Sequence, residues 1–305
     1  MARKIKVTNI FRSNIGAFES DAKDNGYLFK KREYDEAGNI IREVEYTRNS
    51  KEETITDFAY NDANKVTEKK IFYPQDNTLE RTVYTYNTAG EVEEESLFYD
   101  DDLFLKQKTI FNDKNKQTAI ENYDDNNILT GRETFEYNGD DLPIKHTHYN
   151  ENGDKDWQIE LFYDDKKLCV KEIHHNFEEG VEESILYSYN DAGKNYKSES
   201  YDADGNLAGY VEVTYDENNR PIKYESETNG YSISKIINQI TYNEEGKVLE
   251  NEYYDVLHGQ LTNRECYEYD EDGNLKSEEQ FDIRSQNDKK THYKLQYSYE
   301  YVAES

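Results

Sequence analysis

An aromatic residue followed by Asp or Asn recurs along this chain with a period of about 26 residues, a length typical of repeat proteins. Ten such aromatic anchors follow one another at nearly constant spacing. A fixed period of this kind is the signature of a repeat architecture, in which each unit is one small supersecondary element packed against its neighbours. The anchors are Tyr34, Tyr60, Tyr86, Phe111, Tyr137, Tyr163, Tyr189, Tyr215, Tyr242 and Tyr269.

The residues after each anchor have the composition of a tight turn. After Tyr34 and Tyr269, Asp stands first in the turn and Gly stands fourth. Asn replaces Gly in several units, and both residues tolerate the positive φ that such a turn needs. Lys167 occupies this position in one unit, where we therefore expect a different turn. A second turn lies midway between most successive anchors, so each unit is predicted to be strand, turn, strand, turn.

Side-chain alternation predicts strands rather than helices. Residues two positions before the anchors are mostly apolar or aromatic, and residues one position before them are mostly polar. Such a period of two gives each strand one aromatic face and one wet face. The ten units predict an all-β, antiparallel β-meander of about twenty strands, whose twist favours a curved or spiralling ribbon over a compact globule. We expect residues 1–33 to cap a single-domain array of β-hairpin repeats over residues 34–305.

The composition supports such an array. The 305 residues include 66 acidic and 37 basic ones, for a net charge of −29, and only 34% are hydrophobic. High charge with low hydrophobicity is typical of disordered chains, but these are poor in aromatic residues, which here reach 14%. A largely single-layer sheet accounts for both values, because each strand buries little and tyrosine supplies the contacts.

The charge and the lack of long apolar segments exclude several classes of protein. A charge of −29 repels nucleic-acid phosphates and favours a basic protein partner. No stretch reaches the roughly 18 apolar residues of a transmembrane helix, and no apolar signal segment follows the basic N-terminus. The sequence therefore predicts no nucleic-acid binding, no membrane span and a cytoplasmic location. Cys169 and Cys266 are too distant in sequence to suggest a disulfide framework.

The motif Tyr-Asp-x-x-Gly-Asn-Leu occurs at Tyr201–Leu207 and Tyr269–Leu275. It resembles the YD repeat of bacterial RHS-type proteins. The resemblance implies a spiralling β-strip and a setting in secretion or polymorphic-toxin systems, where large members form shells around a toxin domain. The present unit is longer than the usual YD unit, and the array has too few strands to enclose a cargo domain. The resemblance therefore implies a protein-contact role rather than a shell. Looser copies of the motif begin at Tyr34, Tyr86, Tyr189 and Tyr242.

Sequence motifs for catalysis and cofactor binding are absent. The chain has no G-x-x-x-x-G-K-[ST], G-x-G-x-x-G or H-E-x-x-H motif, and acidic pairs are too frequent for any one to indicate acid–base catalysis. Turn chemistry explains the Asp-rich turns at Asp202 and Asp270 better than calcium does, because a calcium loop needs further ligands. We expect a protein that is not an enzyme and that holds no cofactor and no metal.

Three histidines and the only tryptophan are the candidates for a binding site. His146 and His148 alternate on one strand and His174 follows one period after His148, so we expect all three on one patch. Their imidazoles are either ligands of a transition metal or substitutes for tyrosine in the aromatic ladder, and the second interpretation is favoured. Trp157 is either a contact residue of a binding surface or a packing residue.

The leading hypothesis is a non-catalytic, protein-binding repeat scaffold whose acidic surface engages a basic protein, in an immunity-like or a secretion- or toxin-associated role. One alternative is a carbohydrate- or envelope-binding module that uses its tyrosine rows. Another is a structural strip that self-assembles through its terminal strands. The sequence does not fix the partner, the binding face or the oligomeric state.

Overall fold

The computed structural model describes residues 4–14, 26–229, 233–282 and 291–303, and these residues form 22 β-strands. Within the same ranges, no helix is found that is long and apolar enough to cross a membrane. The strands are β1 (Ile5–Asn14), β2 (Tyr27–Tyr34), β3 (Ile40–Tyr46), β4 (Glu52–Tyr60), β5 (Val66–Tyr73), β6 (Thr78–Tyr86), β7 (Val92–Tyr99), β8 (Asp102–Phe111), β9 (Gln117–Tyr123), β10 (Leu129–Tyr137), β11 (Pro143–Tyr149), β12 (Lys155–Tyr163), β13 (Cys169–Asn176), β14 (Val181–Tyr189), β15 (Asn195–Tyr201), β16 (Leu207–Tyr215), β17 (Pro221–Thr228), β18 (Ser234–Tyr242), β19 (Val248–Asp255), β20 (Gln260–Tyr269), β21 (Leu275–Asp282) and β22 (Thr291–Tyr301).

Each strand pairs antiparallel with its neighbours in sequence, which confirms the predicted all-β meander. The curved sheet also closes on itself into a barrel, a point that the sequence left open. β1 pairs with β2 on one side and with β22 on the other, where Thr8 lies opposite Tyr299. An open ribbon would leave the backbone donors and acceptors of its two edge strands unpaired, whereas a closed barrel satisfies both edges. The segment 1–33 contributes β1 and most of β2 to the barrel wall.

A constant slip in register tilts the strands and sets the width of the barrel. Thr56 pairs with Ile71, and Ile71 pairs with Glu80. A path at right angles to the strands, from β4 across β5 to β6, thus leads from residue 56 to residue 80. The residue equivalent to Thr56 in the next repeat is Thr82, so the path ends two residues short of it. A slip of one residue per strand tilts the strands by about 35° from the barrel axis. At that tilt, 22 strands enclose a circle roughly 40 Å across between backbone atoms.

Alternating side chains divide the wall into two faces. The anchors share one face with the residues two and four positions before them, as Tyr60 does with Phe58 and Thr56. The intervening residues direct their backbone hydrogen bonds towards the following strand, as Leu79 does when its carbonyl accepts from the N–H of Asp100 at 2.9 Å. Given the direction of the slip and the right-handed coiling of β-strands, residues of this second kind point out of the barrel. The anchors therefore lie on the inner face.

All ten anchors are the last residues of their strands. Most of them also connect their hairpin to the previous one through a hydrogen bond from the side-chain hydroxyl. The hydroxyl of Tyr60 donates to the backbone carbonyl of Ile40 at 2.6 Å. Burial raises the pKa of Tyr60, which keeps this phenol protonated as a donor. Tyr34 instead accepts from the hydroxyl of Thr8, and Phe111 has no hydroxyl. The bond of Tyr60 recurs at Tyr86, Tyr137, Tyr163, Tyr189, Tyr215, Tyr242 and Tyr269.

The Asp or Asn after each anchor holds the following turn. Oδ1 of Asp35 accepts from the backbone N–H groups of Ala37 and Asn39, both at 2.8 Å. The fourth residue of the turn takes a positive φ, which is 64° at Lys167. The prediction of a different turn at Lys167 is therefore wrong, because Asp164 accepts the same two turn hydrogen bonds and holds the lysine in the left-handed conformation.

Candidate functional site

The four candidate residues from the sequence lie together on the inner face of β11, β12 and β13. Trp157 on β12 is opposite His148 on β11. Ile159, two residues further along β12, lies between His146 on β11 and His174 on β13. The antiparallel register thus brings residues from three consecutive strands onto one patch. The sequence predicted that the three histidines would share this patch, but it did not place Trp157 with them.

The rings on this patch form a continuous cluster. Phe135 stacks on His146 with 4.2 Å between ring centroids and 23° between planes. Trp157 meets His146 edge-on at 4.7 Å and lies parallel to His148 at 5.5 Å, with 7° between their planes. Such ring pairs contribute about 0.5–1.5 kcal/mol beyond their buried area. His148 covers the β11 side of the indole, so the β13 side is left for other contacts.

Each of the three imidazoles also has a carboxylate partner, which fixes its orientation. In the part of the chain that the structure describes, no group of three or more His, Cys, Asp or Glu side chains is arranged to hold a metal ion. His146 and His148 stack in the aromatic cluster, whereas the contact of His174 is with Glu172. The nitrogen–oxygen pairs are His146–Glu133 at 2.7 Å, His148–Asp156 at 3.1 Å and His174–Glu172 at 2.9 Å.

A groove of about 410 Å³ opens beside Trp157. Its lining includes Trp157 and Ile159 from β12, Asn176 from β13, and Val181 and Glu183 from β14. All five side chains alternate onto the inner face, and the Glu183 carboxylate is exposed. The groove therefore combines an aromatic ring face, aliphatic side chains, an amide and a carboxylate, and His174 and His175 of β13 also line it.

The β14 side of this groove was missed by the sequence analysis. Glu183 follows Trp157 by one full repeat of the sequence. Residues one repeat apart lie on the same face two strands apart, so the period alone was a signal that would have placed Glu183 near Trp157. Asn176 gave no such signal, because its position opposite Trp157 depends on the register.

Five consecutive turns at one end of the barrel are acidic. Each contains two Asp or Glu residues and no Lys or Arg. Glu179 lies in one of these turns and also lines the groove beside Trp157, so the groove opens at this end. We call these turns the acidic rim; they are residues 100–101, 124–128, 150–154, 177–180 and 202–206.

Large apolar side chains stand exposed within and next to the acidic rim. Phe104 is 51% exposed, Ile128 is 61% exposed and Phe177 is 44% exposed. Exposed apolar side chains grouped on one surface, rather than scattered singly, mark interaction sites. The rim thus offers apolar contact as well as negative charge.

On the outer face of the wall, by contrast, several acidic residues pair with basic ones. Nζ of Lys235 lies 3.1 Å from a carboxylate oxygen of Glu225 and 3.2 Å from one of Glu227. Hydrogen bonds from Lys223 and Lys235 lower the pKa of Glu225. Cross-strand pairs of this kind neutralise part of the charge on the strands, whereas the rim turns contain no basic residue.

No protein-family model and no curated protein matches this sequence. Similar solved structures include TcdB2-TccC3-TEV, at 10% identity and a TM-score of 0.35, where the match covers 86% of this chain and 20% of that chain. They also include the Photorhabdus luminescens Tc holotoxin pore, at 10% identity and a TM-score of 0.22, where the match covers 94% of this chain and 23% of that chain. A porin-like protein from Bacteroides uniformis is 12% identical, with a TM-score of 0.34 and coverage of 98% of this chain and 99% of that chain. At these TM-scores the likeness carries no argument about function.

Proposed function

We propose that this protein is a non-catalytic binding protein whose acidic rim engages a basic protein segment. The observation that carries the proposal is the coincidence of five acidic turns with exposed apolar side chains at one end of the barrel. A basic segment that also has apolar side chains meets complementary charge and apolar contact on the same surface, which favours both its encounter rate and its residence.

The closed wall supports this role because it holds the rim turns in fixed positions. Each rim turn connects two strands that are paired along their lengths on both sides. A rigid binding surface loses less conformational entropy when a partner binds. The alternative of a self-assembling strip depends on free terminal strands, and β1 and β22 pair with each other.

We further propose that the units are divergent YD repeats and that the partner belongs to a secretion or toxin system, in which this protein has an immunity-like or toxin-associated role. The contacts of the clearest motif copy support a shared repeat logic. The hydroxyl of Tyr269 donates a hydrogen bond to the backbone carbonyl of Val248. Asp270 accepts hydrogen bonds from the backbone N–H groups of Asp272 and Asn274, and Gly273 takes the positive φ. The Tyr, Asp and Gly of the motif thus each have a distinct structural role.

Neutralising the rim tests the proposed function. The probe is a fluorescein-labelled ten-residue peptide of alternating lysine and alanine, titrated by fluorescence anisotropy at low and at moderate salt. The rim variant removes four exposed charges that do not cap turns, by Asp125→Asn, Glu151→Gln, Glu178→Gln and Asp204→Asn. The control variant removes four exposed charges at the opposite end, by Glu36→Gln, Asp62→Asn, Glu217→Gln and Glu271→Gln.

We expect the rim variant to bind the peptide at least about fivefold more weakly, and the control variant to stay within about twofold of the parent protein. Binding should also weaken as salt rises, because exposed charges are screened. Equal losses in both variants would show that net charge alone attracts the peptide, and the rim would not be the site. No measurable binding by the parent protein would overturn the proposed function.

A further inference from the structure

We infer that the groove beside Trp157 is a binding site for an arginine side chain of the basic partner. The inference rests on the proposed function and adds a specific anchor to it. The acidic rim attracts positive charge without distinguishing lysine from arginine, whereas the groove has the features that a planar guanidinium group requires.

The indole of Trp157 supplies the first feature, a ring face to stack on. His148 covers one side of the ring at 5.5 Å, and the groove lies on the other side, towards Asn176 and Val181 of β13 and β14. A guanidinium group stacks on such a face through cation–π attraction and dispersion, and tryptophan is the best ring for this contact. Half-burial of Trp157 in the wall holds the ring in place before a ligand arrives.

Carboxylates supply the second feature, a counter-charge within the groove. Glu183 is exposed on β14 and lines the groove. Glu179 lines it from the rim turn, where its Oε2 accepts a hydrogen bond from Nδ2 of Asn176 at 3.1 Å. A carboxylate accepts two parallel N–H bonds from a guanidinium group, which a lysine ammonium cannot provide.

The chain's own arginines already make this combination of contacts elsewhere. The guanidinium carbon of Arg81 lies 4.1 Å from the ring centroid of Phe98, while its Nη1 is 3.6 Å from a carboxylate oxygen of Glu68. Arg220 lies 4.7 Å from the ring centroid of Tyr242 in the same way. In each case the arginine stacks on an aromatic ring of a neighbouring strand. The groove presents a ring and carboxylates in a similar arrangement, with about 410 Å³ of space for an arginine from outside.

The emission of Trp157 reports on this site directly, because it is the only tryptophan in the chain. Two ten-residue peptides with equal charge are titrated against the full chain, one of alternating arginine and alanine and one of alternating lysine and alanine. Tryptophan emission measures occupancy of the groove, and calorimetry measures total binding. Glu183→Gln and Trp157→Leu test the groove, and Glu53→Gln is the matched control, because Glu53 is exposed on the outer face of β4, away from the groove. Unfolding midpoints check that each variant folds.

We expect the arginine peptide to bind at least about fivefold more tightly than the lysine peptide and to change the emission of Trp157. This preference should fall to within about twofold in Glu183→Gln and in Trp157→Leu, and should persist in Glu53→Gln. Equal binding of both peptides with unchanged emission would overturn the arginine site while leaving the rim proposal intact. Binding of neither peptide would overturn the proposed function itself. Quenching by a linear glucose oligosaccharide, with no response to the arginine peptide, would reassign the groove to carbohydrate.

Discussion

The hydroxyl of Tyr60 donates a hydrogen bond to the backbone carbonyl of Ile40, which lies 20 residues earlier at the start of the adjacent strand β3. Ile40 sits opposite Tyr34, where the register between β2 and β3 shifts and the regular ladder is interrupted. The anchor of one repeat therefore supplies a donor at the irregular point of the repeat before it. This contact explains why tyrosine rather than phenylalanine dominates the anchor position.

Removing one anchor hydroxyl should destabilise the barrel. We expect Tyr60→Phe to lower the free energy of unfolding by about 1 kcal/mol, because the carbonyl of Ile40 loses its donor. Urea unfolding monitored by circular dichroism measures this, and the denaturant dependence should be unchanged. Tyr196→Phe is the control, since Tyr196 is 43% exposed, and it should change the free energy by less than about 0.5 kcal/mol. Equal losses in the two variants would contradict the role of the hydroxyl.

Adding the missing hydroxyl should stabilise the barrel. Phe111 is the one anchor without a hydroxyl, and the first residue of the strand after the preceding anchor turn is Val92. We expect Phe111→Tyr to raise the free energy of unfolding by about 0.5–1 kcal/mol through a new bond to the carbonyl of Val92. The same urea experiment measures the gain. A neutral or destabilising result would show that the carbonyl of Val92 has no need of a donor.

Relieving the strained turn at Lys167 should also stabilise the protein. Lys167 has a φ of 64°, a conformation that glycine adopts without the steric cost of a Cβ atom. We expect Lys167→Gly to raise the unfolding midpoint, with a gain of about 0.5–1 kcal/mol. Lys166→Gly in the same turn is the control and should be neutral or destabilising, because Lys166 does not have a positive φ. A loss of stability in Lys167→Gly would refute this account.

The turn caps predict how stability depends on pH. Hydrogen bonds from the backbone N–H of Asn206 and from its side chain hold the pKa of Asp202 below its usual 3.8. A carboxyl with a lowered pKa in the folded state stabilises the fold above its unfolded-state pKa, and that contribution is lost as the pH falls through the folded-state pKa. Asn keeps the acceptor oxygen, as Asn61 and Asn150 do in equivalent turns, but it does not titrate.

We therefore expect Asp202→Asn to become more stable relative to the parent protein as the pH falls from about 6 to about 3. Thermal unfolding across this range measures the difference in midpoint. Asp204→Asn is the control in the same turn, because Asp204 donates a hydrogen bond to Asp202 from its backbone N–H, which the substitution keeps. A pH-independent difference for Asp202→Asn would argue against the cap as its cause.

Local features of the fold were predictable from the sequence, and features set by register were not. The strand ends at the anchors followed from turn chemistry, because Asp35 and its equivalents act on residues within the same turn. The turn at Lys167 was predicted wrongly because the hydrogen bonds that Asp164 accepts outweigh the low preference of lysine for a positive φ. Closure of the barrel was not predicted because it depends on the slip in register between strands, as between Thr56 and Glu80. The length of the repeat does not determine this slip.

The two-residue slip also makes the width of the barrel a matter of counting. Every hairpin contributes the same slip, so the tilt does not depend on how many hairpins there are, whereas the circumference grows with each one. Excising one complete unit would leave a chain that closes at the same tilt, with opposite walls nearer by about 4 Å. The diameter of the lumen is thus set by the number of repeat units. Duplication or loss of a single repeat changes this diameter by one step.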